Sequence, residues 1–309
     1  MVGKFFTLDE DFNGIIKNAL NGKEIKNINF ISTGWTNIVY EVETDCGNYF
    51  FRFPRDDFWI RTIVKDCEFA KYIHGKTTYN TVQLTQLTNN NRPFSMHKKV
   101  EGKPLTDIMN NMTEDEIKQV SKEIADFMYQ MHSLKYDEKE IFKTDNIGLN
   151  LVDFLDELVE KHLYSEDKVF WKYDEFSKKK NTCLVHGDLN PGNIIIDENN
   201  HIAAVIDFGF AGFGNKYFDI ARIIGRLPVG FKNEIINSYE SISKEKLDYK
   251  LLDTEIDIWN DIDGGYINYM RGIGIYESNI LKEEQGRKNR PCIFALTYRR
   301  LANAIYEIF

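Results

Sequence analysis

The chain has 309 residues, with 48 Asp and Glu against 39 Lys and Arg, a net charge of −9 and a pI near 5.3. That balance excludes a nucleic-acid binder working through a basic surface, while 42% hydrophobic and 14% aromatic residues suffice for a packed core in one large domain or two lobes. No apolar run reaches membrane-span length, Met1 to Asp11 hold no signal-peptide core, and Cys46, Cys67, Cys183 and Cys292 are scattered without metal-ligand spacing. These features predict a cytoplasmic protein with reduced thiols.

Phe12, Ile15, Ile16 and Leu20 recur at helical spacing, predicting a helix up to about residue 25 with Gly22 near its end. Three strand candidates follow: Ile28–Ile31, Ile38–Val42 and Tyr49–Phe53, the last two joined by the turn Asp45-Cys46-Gly47-Asn48. A helix over Trp59–Ile73 carries the apolar stripe Ile60, Ile63, Val64, Cys67 and Ala70, with Glu68 at its edge. A strand pair, Val82–Leu87 and Phe94–Val100, leads into Glu101-Gly102-Lys103-Pro104. Thr113-Glu114-Asp115-Glu116 is a capping box, in which hydroxyl and carboxylate each satisfy a helix N–H, and Ile117, Val120, Ile124, Phe127, Met128 and Met131 continue it as a helical stripe. Residues 150–182 read as a helical insertion.

Cys183–Gly209 concentrates the chemistry. Asp188 and Asn193 are separated by Leu189-Asn190-Pro191-Gly192, the H-x-D-x-x-x-x-N spacing of a kinase catalytic loop, and Asp207-Phe208-Gly209 follows as a metal-binding turn. A hydroxyl attacking a γ-phosphoryl group needs a carboxylate to orient it and take its proton, the role open to Asp188. The amide oxygen of Asn193 and the carboxylate of Asp207 are hard ligands suited to Mg²⁺. The β-branched runs Ile194–Ile196 and Ile202–Ile206 predict a hairpin holding Asn193 at one end and Asp207 at the other.

Further on, Asp253, Glu255, Asp257, Asp261 and Asp263 fall close together. On a helix Asp253, Asp257 and Asp261 share a face at i, i+4 and i+8, where like charges repel. Two readings stand side by side: a solvated acidic face, or, with Trp259 and Tyr266, a site for substrate ammonium groups. A helix over Phe294–Ile308 ends the chain.

His186-Gly187-Asp188 with Asn193, and Ile206-Asp207-Phe208-Gly209 behind it, resemble the aminoglycoside phosphotransferase family, small-molecule kinases of protein-kinase-like fold. Gly187 stands where protein kinases usually carry Arg, and no Ala-Pro-Glu follows Gly209, so the likeness is to kinases of small molecules. The resemblance implies a two-lobed α+β protein, with a small β-rich nucleotide-binding lobe over residues 1–100 and a larger, mostly helical lobe over 101–309. It also implies ATP or GTP as co-substrate, Mg²⁺ as cofactor, and a hydroxylated, cationic small molecule as acceptor; the acidic balance and the lack of a span-length apolar run predict neither nucleic acid nor membrane as partner. An aminoglycoside leads; a choline-, homoserine- or methylthioribose-like metabolite is the alternative, and a catalytically silent nucleotide-binding protein a further one.

Carried over residue by residue, the resemblance puts Ser32, Thr33 and Gly34 in the loop covering the nucleotide. Arg52 takes the phosphate-gripping position on the third strand, paired with Glu68. Backbone groups of Lys98 and Val100 fall on the nucleobase edge, and His132 matches a structural helix end. His186 and Asp219 support the catalytic loop. Asn215-Lys216 depart from the Asp-Pro usual in the family.

Overall fold

The computed structural model describes residues 6–33, 36–55, 57–135 and 183–272. The chain divides into two units, Met1–Tyr266 and Ile267–Phe309, and the residues that build the site belong to the first. Gly34, the expected insertion over 150–182, the expected tail Phe294–Ile308 and Cys292 lie outside the described residues.

Helix α1 (Phe12–Leu20) starts where Asp11 Oδ1 accepts the Gly14 N–H at 3.0 Å and ends at Asn21, in the left-handed region at φ 42°. Strands β1 (Ile25–Thr33), β2 (Asn37–Thr44) and β3 (Gly47–Pro54) follow, then helix α2 (Asp57–Ile73) and strands β4 (Thr85–Asn89) and β5 (Arg92–Lys98). The five strands form one antiparallel sheet in the order β1-β2-β3-β5-β4. β4 and β5 are joined through Asn90 and Asn91, both at positive φ (52° and 61°), the backbone a two-residue hairpin turn requires.

Alternation along these strands assigns the two faces of the sheet. Ile38, Val42, Phe51, Phe53 and Phe94 pack under α1 with Phe6, Phe12, Ile16 and Leu20, and the Phe53 ring lies 4.8 Å from Phe12 and 4.9 Å from Phe94. Arg52, between two buried phenylalanines, must therefore point to the other face. There it pairs across the strands with Val39 and Ser95, and α2 lies over it.

The chain then runs through β6 (Lys103–Pro104), α3 (Leu105–Ile108) and α4 (Glu114–His132), and resumes at β7 (Cys183–Val185), β8 (Ile194–Ile196), β9 (Ile202–Val205) and β10 (Gly212–Gly214). Helices α5 (Lys216–Ile224), α6 (Val229–Ser243) and α7 (Tyr249–Gly272) follow. At the start of α4 the Thr113 N–H donates to Glu116 Oε2 at 2.7 Å and the Glu116 N–H to Thr113 Oγ1 at 3.4 Å, so both halves of the capping box form. Val120, Ile124, Phe127, Met128 and Met131 form its buried face.

β8 and β9 make the hairpin read from the isoleucine runs, with β6 on its outer edge. Its turn is tied to α4: Asn200 Nδ2 donates to Glu116 Oε1 at 2.7 Å, and the Ile202 N–H to Glu123 Oε2 at 2.8 Å. β7 pairs with β10, setting Val185 opposite Gly212 and bringing the chain after Gly209 back beside the catalytic loop. No described helix is long and apolar enough to cross a membrane.

Candidate active site

The loop leaving β7 is held from three sides. Both Asp219 carboxylate oxygens, buried at the start of α5, accept backbone N–H groups, His186 at 2.7 Å and Gly187 at 2.9 Å. His132 Nε2 approaches the same carboxylate at 3.2 Å, and its Nδ1 lies 2.9 Å from the Tyr239 hydroxyl. His186 links the two chemical segments. Its Nε2 faces the Ile206 carbonyl at 3.0 Å and its Nδ1 the Asp188 N–H at 3.3 Å. A carbonyl only accepts and an N–H only donates, so the imidazole carries its proton on Nε2. Gly187 is required for a different reason than its contrast with arginine: its φ is 81°, and a Cβ there would stand 1.9 Å from the Phe210 carbonyl oxygen.

Beyond Gly187 the Asp188 carbonyl accepts two side-chain amides, Asn190 Nδ2 at 3.1 Å and Asn193 Nδ2 at 2.9 Å. The Asn193 carbonyl in turn accepts the Ile206 N–H at 3.0 Å. One run of hydrogen bonds therefore joins Asp188, Asn193 and the residue before Asp207. Asp207 itself adopts φ 68°, an uncommon conformation for a non-glycine residue. Among the described residues no three His, Cys, Asp or Glu side chains form a metal cage. The oxygen set of Asn193 and Asp207 suits a cation that keeps waters and takes its remaining ligands from phosphates, as Mg²⁺ does.

Arg52 reaches Asp207 from the sheet, Nη2 lying 2.5 Å from Oδ2, while its Nη1 lies 2.7 Å from Asp66 Oδ2. The helix carboxylate on Arg52 is thus Asp66, which replaces Glu68 in that role. Two residues turn an α-helix by about 200°, so Asp66 and Glu68 cannot address the same strand. Asp66 Oδ1 also accepts the Phe208 N–H at 2.8 Å, so a single carboxylate ties α2, β3 and the Asp207 turn together. Burial pushes the Asp66 carboxyl up to about 7, with Asp207 adding to the rise and Arg52 and the Phe208 N–H opposing it.

On the nucleotide side, Ser32 and Thr33 close β1 opposite Val39 and Ile38. Lys98 ends β5 opposite Tyr49, and its carbonyl accepts His97 Nδ1–H at 3.0 Å, leaving one lone pair. Burial, with Arg52 adding, holds His97 down at about 4, so the ring is neutral. Val100 is half-buried just beyond the strand.

The acceptor side differs from the acidic-ladder expectation. Leu252, Glu255, Ile258, Trp259 and Asp263 form the buried face of α7, so Asp253 and Asp257, at intervening positions, are exposed; Asp261 lies on the same helix. Trp259 is a core residue rather than a ligand contact: it is 3% exposed and its indole N–H donates to the Phe218 carbonyl at 3.0 Å. The Arg222 guanidinium lies over its ring at 4.2 Å. Arg222 Nε donates to Asp188 Oδ1 at 2.7 Å and Nη1 to both Asp263 oxygens, at 3.0 and 2.8 Å; Arg226 also pairs with Asp263.

A family profile described as "Phosphotransferase enzyme family" matches residues 27–245, more than half of the chain. The chain belongs to that family. This phosphotransferase is therefore an enzyme that transfers a phosphoryl group, on a protein-kinase-like fold. Solved structures agree in fold. The GDP and kanamycin complex of an APH(2") enzyme superposes with a TM-score of 0.65 at 18% identity, covering 90% of this chain and 99% of that one. The streptomycin-ATP ternary complex of APH(2")-IIa gives 0.60 at 17%, covering 86% and 91%. The macrolide 2'-phosphotransferase MphH from Brachybacterium faecium gives 0.57 at 11%, covering 91% and 99%.

The roles of three residues around this site escaped the sequence reading, which placed Asp263 only within the acidic segment. Asp66 had a signal: it falls within the helical stripe between Ile63 and Ala70, where a charge must be buried against a partner. Arg222, three residues after Asp219 on an apolar helix, carried a weaker form of the same signal. Asp263 had none, because its partner is set only by how α5 and α7 pack.

Proposed function

We propose that this phosphotransferase transfers the γ-phosphoryl group of ATP or GTP to a hydroxyl of an aminoglycoside, acting in the cytoplasm as an antibiotic-resistance enzyme. The reading is carried by the hydrogen-bond run that joins Asp188, Asn193 and the strand leading to Asp207. Asp188 is the base that orients the acceptor hydroxyl and takes its proton. Asn193 and Asp207 hold Mg²⁺, which supplies charge neutralisation at the phosphates when bound. Arg52, set by Asp66, grips phosphate oxygens, with Ser32, Thr33 and Gly34 covering them and Lys98 and Val100 offering backbone groups to the base. The lobe boundary falls near residue 101. There Gly102, at φ 132°, brings the chain so close to β8 that a Cβ would stand 2.5 Å from the Ile196 carbonyl oxygen.

The ligands of the solved relatives, kanamycin, streptomycin, GDP and ATP, support the substrate class and both nucleotides. The placement of α7 favours a second reading. With Asp253 and Asp257 exposed and Asp263 paired to two guanidinium groups, the acidic segment offers a cation less than its composition promises. A kinase of a neutral or zwitterionic hydroxylated metabolite fits that balance.

The test is phosphorylation, followed by mass spectrometry, across aminoglycosides, macrolides, choline, homoserine and methylthioribose with each nucleotide. Turnover of an aminoglycoside, abolished in Asp188→Asn and Asp207→Ala, supports the first reading; turnover confined to a metabolite selects the second. A chain that binds Mg²⁺-nucleotide yet turns over no acceptor and hydrolyses no nucleotide would be a silent relative, and both readings would fall.

A further inference from the structure

We propose that Arg222 is a positioning residue for Asp188, and that Asp263 of α7, by chelating Arg222, takes part in setting the base although it never meets the substrate. The inference rests on the reading of Asp188 as the base. It starts from a weakness of aspartate: the torsion of its carboxylate about the Cβ–Cγ bond is broad and two-fold. The backbone of Asp188 is fixed by Gly187 on one side and by the two amides on its carbonyl on the other. None of those bonds touches its carboxylate. Arg222 does, through a single Nε–H bond of 2.7 Å to Oδ1, which leaves Oδ2 to meet the acceptor hydroxyl.

The guanidinium is itself immobilised. Its plane lies 4.2 Å over the buried Trp259 ring, its Nη1 spans both oxygens of Asp263, and Arg226 braces Asp263 from outside. The arrangement uses what distinguishes Arg from Lys, donors on several edges of one rigid plane. An ammonium group could satisfy either carboxylate but could not set the angle between them. Arg222, Asp188 and Asp263 are all mostly covered, their side chains 11%, 20% and 12% exposed, so water competes weakly for these bonds.

Three consequences separate positioning from general support. Loss of Arg222 lowers kcat while the KM values for both substrates and the Kd for nucleotide stay put, because neither binding site is touched. Lys at the position recovers only part of the rate. Loss of Asp263 acts through Arg222, so the two effects do not add.

The experiment measures steady-state kinetics, fluorescent-nucleotide Kd and thermal melting for wild type, Asp188→Asn, Arg222→Ala, Arg222→Lys, Asp263→Asn and the double variant Arg222→Ala/Asp263→Asn. The expected result is a loss of about 10²-fold in kcat for Arg222→Ala, the scale of a misplaced catalytic group. Losses of about 10-fold are expected for Arg222→Lys and Asp263→Asn, KM and Kd stay within about 3-fold, and the double variant is no slower than Arg222→Ala. If Arg222→Ala does not fold, Asp263→Asn decides: a 10-fold lower kcat at unchanged nucleotide Kd supports positioning. Wild-type kcat in either single variant, or a loss that follows KM and Kd, overturns it. Asp188→Asn separates the layers. If that variant keeps full turnover, the assignment of the base is wrong; if it is dead while Arg222→Ala runs at the wild-type rate, only the present inference falls.

Discussion

Asp66 Oδ2 lies 2.7 Å from Arg52 Nη1, and Asp66 Oδ1 accepts the Phe208 N–H at 2.8 Å, so one buried carboxylate sets both the phosphate-gripping cation and the turn that carries Asp207. Burial of that carboxylate outweighs the pull of the guanidinium, and the neutral form is favoured on folding.

Asp66→Asn therefore separates activity from stability. A carboxyl whose folded pKa is raised contributes most below its unfolded value near 3.8, and that contribution is lost as pH rises through about 7. The neutral amide should leave melting at pH 7 within a few degrees of wild type or above it. With Arg52 no longer held by the Asp66 carboxyl group, kcat/KM should fall by about 10- to 100-fold, the range for a misaligned group. Glu68→Gln should stay within about 3-fold, since Glu68 lies some 200° around the helix from Asp66. Steady-state kinetics and melting curves on the two variants check this, and a Glu68 effect equal to that of Asp66 would refute the assignment.

Gly187→Ala should be far more damaging than its one methyl group suggests. The left-handed backbone alone costs about 1–2 kcal/mol for a residue with a Cβ, and the added atom would stand 1.9 Å from the Phe210 carbonyl oxygen. Because the obstacle is backbone, β7 and β10 must part to admit it. Denaturant titration should show a loss above about 2 kcal/mol, with turnover lost as well.

Thr113→Ala supplies the contrast. It removes half of a capping box far along the chain from Asp188, so stability should fall by about 1 kcal/mol with kcat and KM unchanged. Chemical denaturation and kinetics on one preparation suffice. A drop in kcat would mean that the start of α4 communicates with the hairpin through Glu116 and Asn200.

His201 gives a prediction in pH. Its Nδ1 lies 2.5 Å from Glu123 Oε1 in the turn that ties the hairpin to α4, and that hydrogen bond, helped by the carboxylate charge, raises its pKa above the ordinary 6.5. A raised folded value means that the pair's contribution is fully present below about 6.5 and fades as pH rises through the folded pKa. An NMR titration should place His201 above 6.5 in wild type and lower it in Glu123→Gln. An equal midpoint in both proteins would show that the ion pair does not form in solution.

Local pattern settled much of this protein. Period-2 and period-3.6 spacing placed the strands of the sheet, α2 and α4, because each element must turn one apolar side inward whatever lies across from it. The capping box was legible from Thr113 and Glu116, which meet within one turn. The H-x-D-x-x-x-x-N spacing with Asp207 behind it was legible because Asn193 and Asp207 flank one hairpin and Asp188 stands one short loop before it, so that separation along the chain dictates separation in space. Which helix carboxylate meets Arg52 was only partly legible: Asp66 falls within the apolar stripe that α2 turns inward, but it is the packing of α2 on the sheet that sets this carboxylate, and not Glu68, against the guanidinium. The fate of the acidic stretch was likewise a matter of packing. Trp259 and Asp263 turn inward and Asp253 and Asp257 outward because α5 offers α7 a carbonyl for the indole and a guanidinium for the carboxylate, a choice made only when the two helices meet.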